Sequence, residues 1–382
     1  MTIIKRLLVS VISLALLSGC WDSKEIEKMA YVTALGFDYV DGKYKAYAQI
    51  LNFANIAKNE SLEIGKVVPV WIGLGEGRTV SEAASSLYST AQERVFWGHV
   101  RTIVCSENLL KQEGKIQQVY STVNRYREIR YNVLIYGTKE SIAKIFALKS
   151  LLNAAPIESI LSTPQKVYEQ FSIIKPEYGY KVIADSSEGS GSVIIPSLAI
   201  DTGTWLEDEK KKSLLKTNGA FMLRHNKLLG WMSEEDLRGV RWLQRDIDRV
   251  PTNVPNTEDP IANVVIIKPR HAIVTKVVKG EVQYNVKVSA NIYLNELIEP
   301  TPNATLKRDT AKVIASEIRN SYNKGLAIQS DVLNLENSLF RSNIKKWKEL
   351  QPNNEFLLTE DSLHDIEVKV HIIHSGKYKS SK

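Results

Sequence analysis

The sequence predicts a multidomain α+β protein, with a mixed-sheet N-terminal region and a C-terminal antiparallel sheet carrying two long helices in the order β-β-α-α-β. Three observations lead there. Strand-like and helix-like segments alternate through the first half of the chain, the pattern of helices packed on a mixed sheet. Val282, Tyr284, Val286, Val288, Ala290, Ile292 and Leu294 alternate with Gln283, Asn285, Lys287, Ser289 and Asn291, which puts one strand face in a core and the other in water. Two helical stretches, about 306–322 and 330–350, then precede a last alternating strand through Ile366, Val368, Val370 and Ile372.

The chain opens on Lys5 and Arg6, followed by an apolar run from Leu7 to Leu17 broken only by Ser10 and Ser13. That run is about half the roughly 20 residues a membrane-spanning helix needs, so residues 1–19 are read as a signal peptide. An ordinary secretory cleavage site has a small residue at the third position before the cut, where this chain has Leu17. Leu17-Ser-Gly-Cys20 instead matches the lipobox of bacterial lipoproteins, in which the cysteine sulfur is alkylated by a diacylglycerol before the chain is cut ahead of it. Two acyl chains hold stably where one holds marginally, because anchoring grows by about 0.8 kcal/mol per buried CH₂. Cys20 is therefore the predicted lipid-attachment site. Cys105, in the strand-like run Arg101-Thr-Ile-Val-Cys-Ser, is then left without an intramolecular partner and is read as a buried small hydrophobe.

Beyond the anchor, Ala30–Tyr39 and Lys43–Phe53 are β-rich and joined by Asp41-Gly42, the strongest short-range signal of a hairpin. A strand at Val67–Leu74 precedes a helix at Val80–Val95, started by Thr79 and Glu82 at capping-box spacing. A strand through His99–Cys105, a helix at Ile116–Tyr126, a strand at Tyr131–Tyr136 and a helix at Glu140–Leu148 complete the alternation. Asp185–Ser192 has turn composition, and the charged run Trp205–Lys216 is read as a solvated segment. Phe221–Arg224 and Leu228–Met232 flank the turn His225-Asn226-Lys227 as a second hairpin. Ser233 and Asp236 then mark a helix start, with Leu237, Val240, Leu243 and Ile247 on one face. The Pro- and Asn-rich stretch Val250–Pro260 is read as a linker. These breaks divide the chain into a signal peptide at 1–19, an N-terminal α/β domain at 20–200, a β-hairpin and helix region at 201–258, and a C-terminal α+β domain at 259–382.

Length and composition are those of a globular protein of two or three domains: 382 residues, 43% hydrophobic and 24% charged. The formal charge of +7 drops to +5 once Lys5 and Arg6 are removed. That is a weak basic bias, compatible with an anionic lipid surface, and no basic block suggests nucleic acid. Lys377, Lys379 and Lys382 are read as part of a solvated terminus.

No catalytic or cofactor signature emerges, and no cofactor or metal is predicted. Gly73-Leu-Gly75-Glu-Gly77 follows a strand and opens a helix, but it lacks the third glycine of a dinucleotide fingerprint and the lysine of a P-loop, and Glu76 would repel phosphate. A tight structural turn accounts for it better. His371 and His374 lie an odd number of positions apart in a strand and so face opposite ways, which rules out a shared cation there. No Gly-x-Ser-x-Gly elbow, Cys–His signature or supported carboxylate pair is present, and the protein is not read as an enzyme. Trp231 and Trp242, among seven scattered tryptophans, are read as core residues.

The stretch Cys20-Trp-Asp-Ser-Lys-Glu-Ile-Glu-Lys-Met-Ala-Tyr-Val-Thr-Ala-Leu-Gly-Phe-Asp38 resembles the mature N-terminus of the Ger(x)C family, the lipoprotein C subunits of bacterial spore germinant receptors. Cys20-Trp21-Asp22, Glu25-Ile26 and Gly36-Phe37-Asp38 carry the likeness. Further matches are Gly219-Ala-Phe-Met-Leu, Lys227-Leu-Leu-Gly-Trp-Met with Glu234-Glu235, Gly77-Arg-Thr-Val-Ser-Glu-Ala and the Arg125–Arg130 region. The resemblance covers essentially the whole mature chain. It implies a subunit held by lipid at Cys20 on the outer face of the spore inner membrane, working with the integral membrane A and B subunits of a nutrient receptor. With no catalytic site found, a binding and assembly role is expected. A solute-binding lipoprotein of a transporter would instead need two large α/β lobes around a cleft, which the β-β-α-α-β tail argues against. A cell-wall hydrolase would need a catalytic carboxylate, and none is nominated.

Overall fold

The structure, a computed structural model, describes residues 3–4, 29–51, 69–153, 156–187, 192–278, 280–351 and 355–374. Its larger sheet grows from one hairpin. Strands β1 (Met29–Val40) and β2 (Lys43–Leu51) pair antiparallel across Asp41 and Gly42, whose φ values of 52° and 78° give the left-handed pair that a two-residue hairpin turn requires. On one side β3 (Trp71–Gly77) extends the hairpin as an edge. On the other, β4 (Arg94–Phe96), β5 (Thr102–Ser106) and β6 (Leu134–Thr138) bring in parallel pairing. The short β7 (Glu177–Tyr178) lies antiparallel on β6. Helices Val80–Ser85, Lys115–Val123 and Ile142–Ala147 connect these strands. The long strands β8 (Val193–Glu207) and β9 (Lys210–Arg224) and then β10 (Lys227–Ser233) complete ten strands in the order β10-β9-β8-β6-β5-β1-β2-β3, with β4 and β7 off that path. His225 and Asn226, both at positive φ, form the predicted second turn.

A second, four-stranded sheet runs β11 (Arg249–Val254), β12 (Ala262–Val278), β13 (Glu281–Leu297) and β14 (Leu363–His374). The period-two expectation for β13 holds: Tyr284, Val286, Val288, Ala290 and Ile292 are buried while Lys287, Ser289 and Asn291 are exposed. The mixed α+β architecture is as predicted, but the second sheet is not antiparallel throughout. The helical crossover returns the chain to the end where β13 began, so β14 pairs with β13 in parallel.

The long helix Asn303–Ala327 exceeds its predicted span and buries Leu306, Val313, Ile314, Ile318 and Tyr322 along one stripe. The second predicted helix is two pieces, Leu335–Ser342 and Ile344–Leu350. Asn334 at φ 55° delays its start. Asn343, extended at φ −151°, breaks it and accepts from Lys346 N–H at 3.0 Å to cap the second piece.

Three other local expectations are corrected. The helix begun by Thr79 has its capping box, with Thr79 accepting from Glu82 N–H at 3.1 Å and Glu82 from Arg78 N–H at 2.7 Å, but it ends at Ser85. There Ser86 turns its hydroxyl onto the Ala83 carbonyl, and β4 begins only at Arg94. After Ser233, whose reciprocal bonds with Asp236 are those of a helix start, the chain makes turns and a single 3₁₀ turn at Val240–Leu243. Leu237, Val240 and Ile247 are still buried. Finally, the stretch read as a linker contains β11. Val250, Thr252 and Val254 point inward, and Pro251 is tolerated because β11 is an edge.

Candidate functional site

Cys20, the predicted attachment point, lies outside the described residues, as do Cys20-Trp21-Asp22 and Glu25-Ile26. The described motif residues are structural. Gly36 is crossed by the helix Ile142–Ala147, and a Cβ there would sit 2.3 Å from Ile142 Cγ2. Phe37 is buried, and Asp38 accepts from the hydroxyl of Ser106, which itself caps the turn of helix Glu107–Leu110. In the second motif, Ala220, Phe221, Met222 and Leu223 are fully buried, and Trp231 lies under the Lys139 ammonium at 3.8 Å. Gly75 and Gly77 form no tight turn. They lie within β3, where their missing side chains let helix Val80–Ser85 sit directly on the strand: a Cβ on Gly75 would meet the Ala83 carbonyl oxygen at 2.1 Å. Cys105 is buried as expected, and burial pushes its thiol up to about 12. Among the described residues no group of three or more His, Cys, Asp or Glu side chains could hold a metal ion.

The concentrated polar chemistry lies where the two sheets meet. Arg224, the last residue of β9, reaches out of the large sheet. Its Nη2 lies 3.2 Å from Glu336 Oε2, on the helix Leu335–Ser342, and donates to the Glu355 carbonyl at 3.0 Å. Glu336 Oε1 accepts from Leu357 N–H at 2.9 Å. Close by, Asp331 accepts from the N–H groups of Leu335 and Glu336 at 2.9 and 2.7 Å, while its own N–H donates to Ser192 Oγ, just before β8, at 2.8 Å. Burial pushes the Asp331 carboxyl up to about 7; the Glu336 charge adds to the shift, and the two backbone bonds and Arg224 oppose it. Glu336 is raised as well, chiefly by burial.

A second bolt joins the turn segment after β10 to the long helix. Arg241 donates from Nη2 to both oxygens of Glu317 at 3.0 and 2.9 Å, and Trp242 Nε1 donates to the same carboxylate at 2.7 Å. Trp242 is fully buried, and burial lowers the Arg241 pKa against the pull of Glu317. Gly239 lets this segment lie against the helix backbone, since a Cβ would come within 2.1 Å of the Glu317 carbonyl oxygen. Sequence reading missed both bolts because the two partners of each pair lie far apart along the chain. The available signal was charged residues inside apolar runs, as in Phe-Met-Leu-Arg224 and Val240-Arg-Trp-Leu. Beside the joint is a cavity of about 350 Å³ lined by Ile173, Val193, Leu333 and Arg341 and edged by the Lys175–Asp246 ion pair.

The sequences of these two α+β modules place the chain in a known class, the spore germination proteins. Residues 22–200 match the family model for the spore germination protein N-terminal domain, and residues 218–376 match the one described as spore germination B3/GerAC like, C-terminal. The chain belongs to this family, the Ger(x)C C subunits of spore germinant receptors. Spore germination protein KC of Bacillus subtilis (strain 168) is 24% identical over 370 residues, covering 89% of this chain and 88% of that protein. Spore germination protein B3 of the same organism is 21% identical over 360 residues, covering 89% and 91%. The crystal structure of the GerBC protein has the same fold, with a TM-score of 0.53 over 89% of this chain and 96% of that one at 16% identity.

Proposed function

We propose that this protein is the lipid-anchored subunit of a spore nutrient germinant receptor, required for the germination response and acting by binding and assembly with the integral membrane A and B subunits. The observation that carries the reading is the pair of spore germination family matches, which together run along nearly the whole mature chain. The lipobox supports attachment through Cys20, on the outer face of the spore inner membrane. No described helix is long and apolar enough to cross a membrane, so a covalent lipid is the chemistry available in this sequence for holding the body at a bilayer. Tethering raises the local concentration of the subunit for membrane partners, which favours assembly without any new contact.

The intact mass of the mature protein from its native host is the direct test: a chain beginning at a diacylglyceryl Cys20 is expected, and a bare, uncut amino end overturns the proposal. Cys20→Ala leaves the domains folded but loses stable membrane attachment and impairs germination. Normal germination by unlipidated protein would contradict that. The cavity beside the joint has the volume of a small-ligand site, which keeps a solute-binding lipoprotein as the second reading. Calorimetric titration of the purified protein with amino acids and sugars separates the two, micromolar binding favouring the second.

A further inference from the structure

β1, β4, β5 and β6 all run in parallel, so their N-terminal ends lie on one rim of the large sheet. Met29, where the described chain enters β1, pairs with Arg94 on that rim, and Arg101 sits at the entrance of β5, its N–H bonded to the Thr33 carbonyl. The loop before β6 adds Arg125, Arg127 and Arg130. All five arginines are exposed, and the acidic groups among them are Glu93 and Glu128, the latter paired with Arg94 at 3.1 Å. Exposed tyrosines share the rim. Tyr131 is 71% accessible and packs edge-on against Tyr180, which stacks on Tyr178; Tyr88 is 46% accessible and accepts from Trp97 Nε1 at 2.9 Å.

We propose that this arginine–tyrosine rim is the face the protein lays on an anionic phospholipid surface. The inference rests on the lipid anchor at Cys20 and specifies the orientation that anchor allows. Met29 follows Cys20 by nine positions, a length of chain that spans at most about 30 Å, so the rim cannot stray far from the headgroups. Arginine and tyrosine are the side chains suited to that layer: guanidinium forks bind phosphate in a bidentate way, and an amphipathic ring rests at the boundary between headgroup and acyl chain. The opposite rim, with the β8–β9 turn at Glu207–Lys210, points away into water.

The test uses full-length lipoprotein purified from its host and reconstituted into phosphatidylcholine vesicles with and without phosphatidylglycerol. Tyr131→Cys and, on the far rim, Lys211→Cys each receive an environment-sensitive dye. Cys105 is buried and Cys20 alkylated, so parent protein should take up no dye; labelling of the parent at Cys20 defeats the anchor itself rather than the orientation. With the anchor intact, spin-labelled lipid should quench the dye at position 131 in anionic vesicles and leave position 211 bright. Equal quenching at both positions, or none at 131, overturns the proposal. Combining Arg125→Glu, Arg127→Glu and Arg130→Glu should abolish quenching at 131 while the protein still floats with the vesicles, and retained quenching counts against the rim. A dye at 131 that responds only after the A and B subunits are added assigns the rim to a protein partner and overturns the lipid assignment.

Discussion

Arg241 and Arg224 hold charge inside the protein at almost no exposure, a placement that is stable only while each guanidinium keeps its carboxylate. Removing one partner of such a pair leaves the other buried and unpaired, at about 3–5 kcal/mol. Arg241→Ala should accordingly lower the unfolding free energy from urea melts by an amount of that order, whereas the volume-matched Arg241→Met with Glu317→Leu should recover most of it. A double variant as unstable as the single one would place the loss outside the charge pair, in packing or in the Trp242 Nε1 donor that the Glu317 carboxylate satisfies. Asp331 makes the joint sensitive to pH. Burial pushes its carboxyl up to about 7 in the folded protein against about 3.9 in an unfolded chain, so between those values the folded state holds a proton that the unfolded state has released. Its contribution to stability is full below about pH 4 and is lost as pH rises toward 7. Thermal melts from pH 4 to 8 should fall in Tm across that window, and Asp331→Asn should flatten the slope; an unchanged slope would acquit this residue.

At the scale of elements, the same glycine letter means different things at different places. Gly36 lies under a crossing helix, so Gly36→Ala forces Cβ into Ile142 and should cost about 1–3 kcal/mol as an overpacked core does. Gly230, in β10, is not crowded in the same way. Its Cβ would meet Ile328 at an ordinary 3.4 Å, so Gly230→Ala should stay within about 0.5 kcal/mol, and a larger loss in denaturant melts would refute the geometry. Hairpins were legible because two-residue turns need positive φ at adjacent positions, and Asp41-Gly42 and His225-Asn226 are side chains that accept it. Helix lengths were less legible. Thr79 and Ser233 announce helix starts by local hydrogen bonds, but whether the helix continues depends on what packs above it, and after Ser233 the buried Arg241–Glu317–Trp242 cluster selects turns instead.

At the scale of the whole molecule, the two joints tie a ten-stranded and a four-stranded sheet together through packed and bonded residues. The core around Trp242 crosses the join, taking Ala220, Met222 and Met232 from the large sheet together with Val264, Tyr284 and Ile318 from the smaller half. A single cooperative unfolding transition is therefore expected in calorimetry, and two separated transitions would indicate that the joint is weaker than its burial implies. The sequence by itself carried the lipobox match and the family motifs and determined the hairpins and the inward face of β13, because each is written in neighbouring residues: short motifs, turn chemistry or period-two burial. Only the tertiary structure decided the parallel entry of β14, the partners of Arg224 and Arg241, and the gathering of arginines and tyrosines on one rim. Those depend on chain segments far apart in sequence meeting in space, and local spacing carries no record of that meeting.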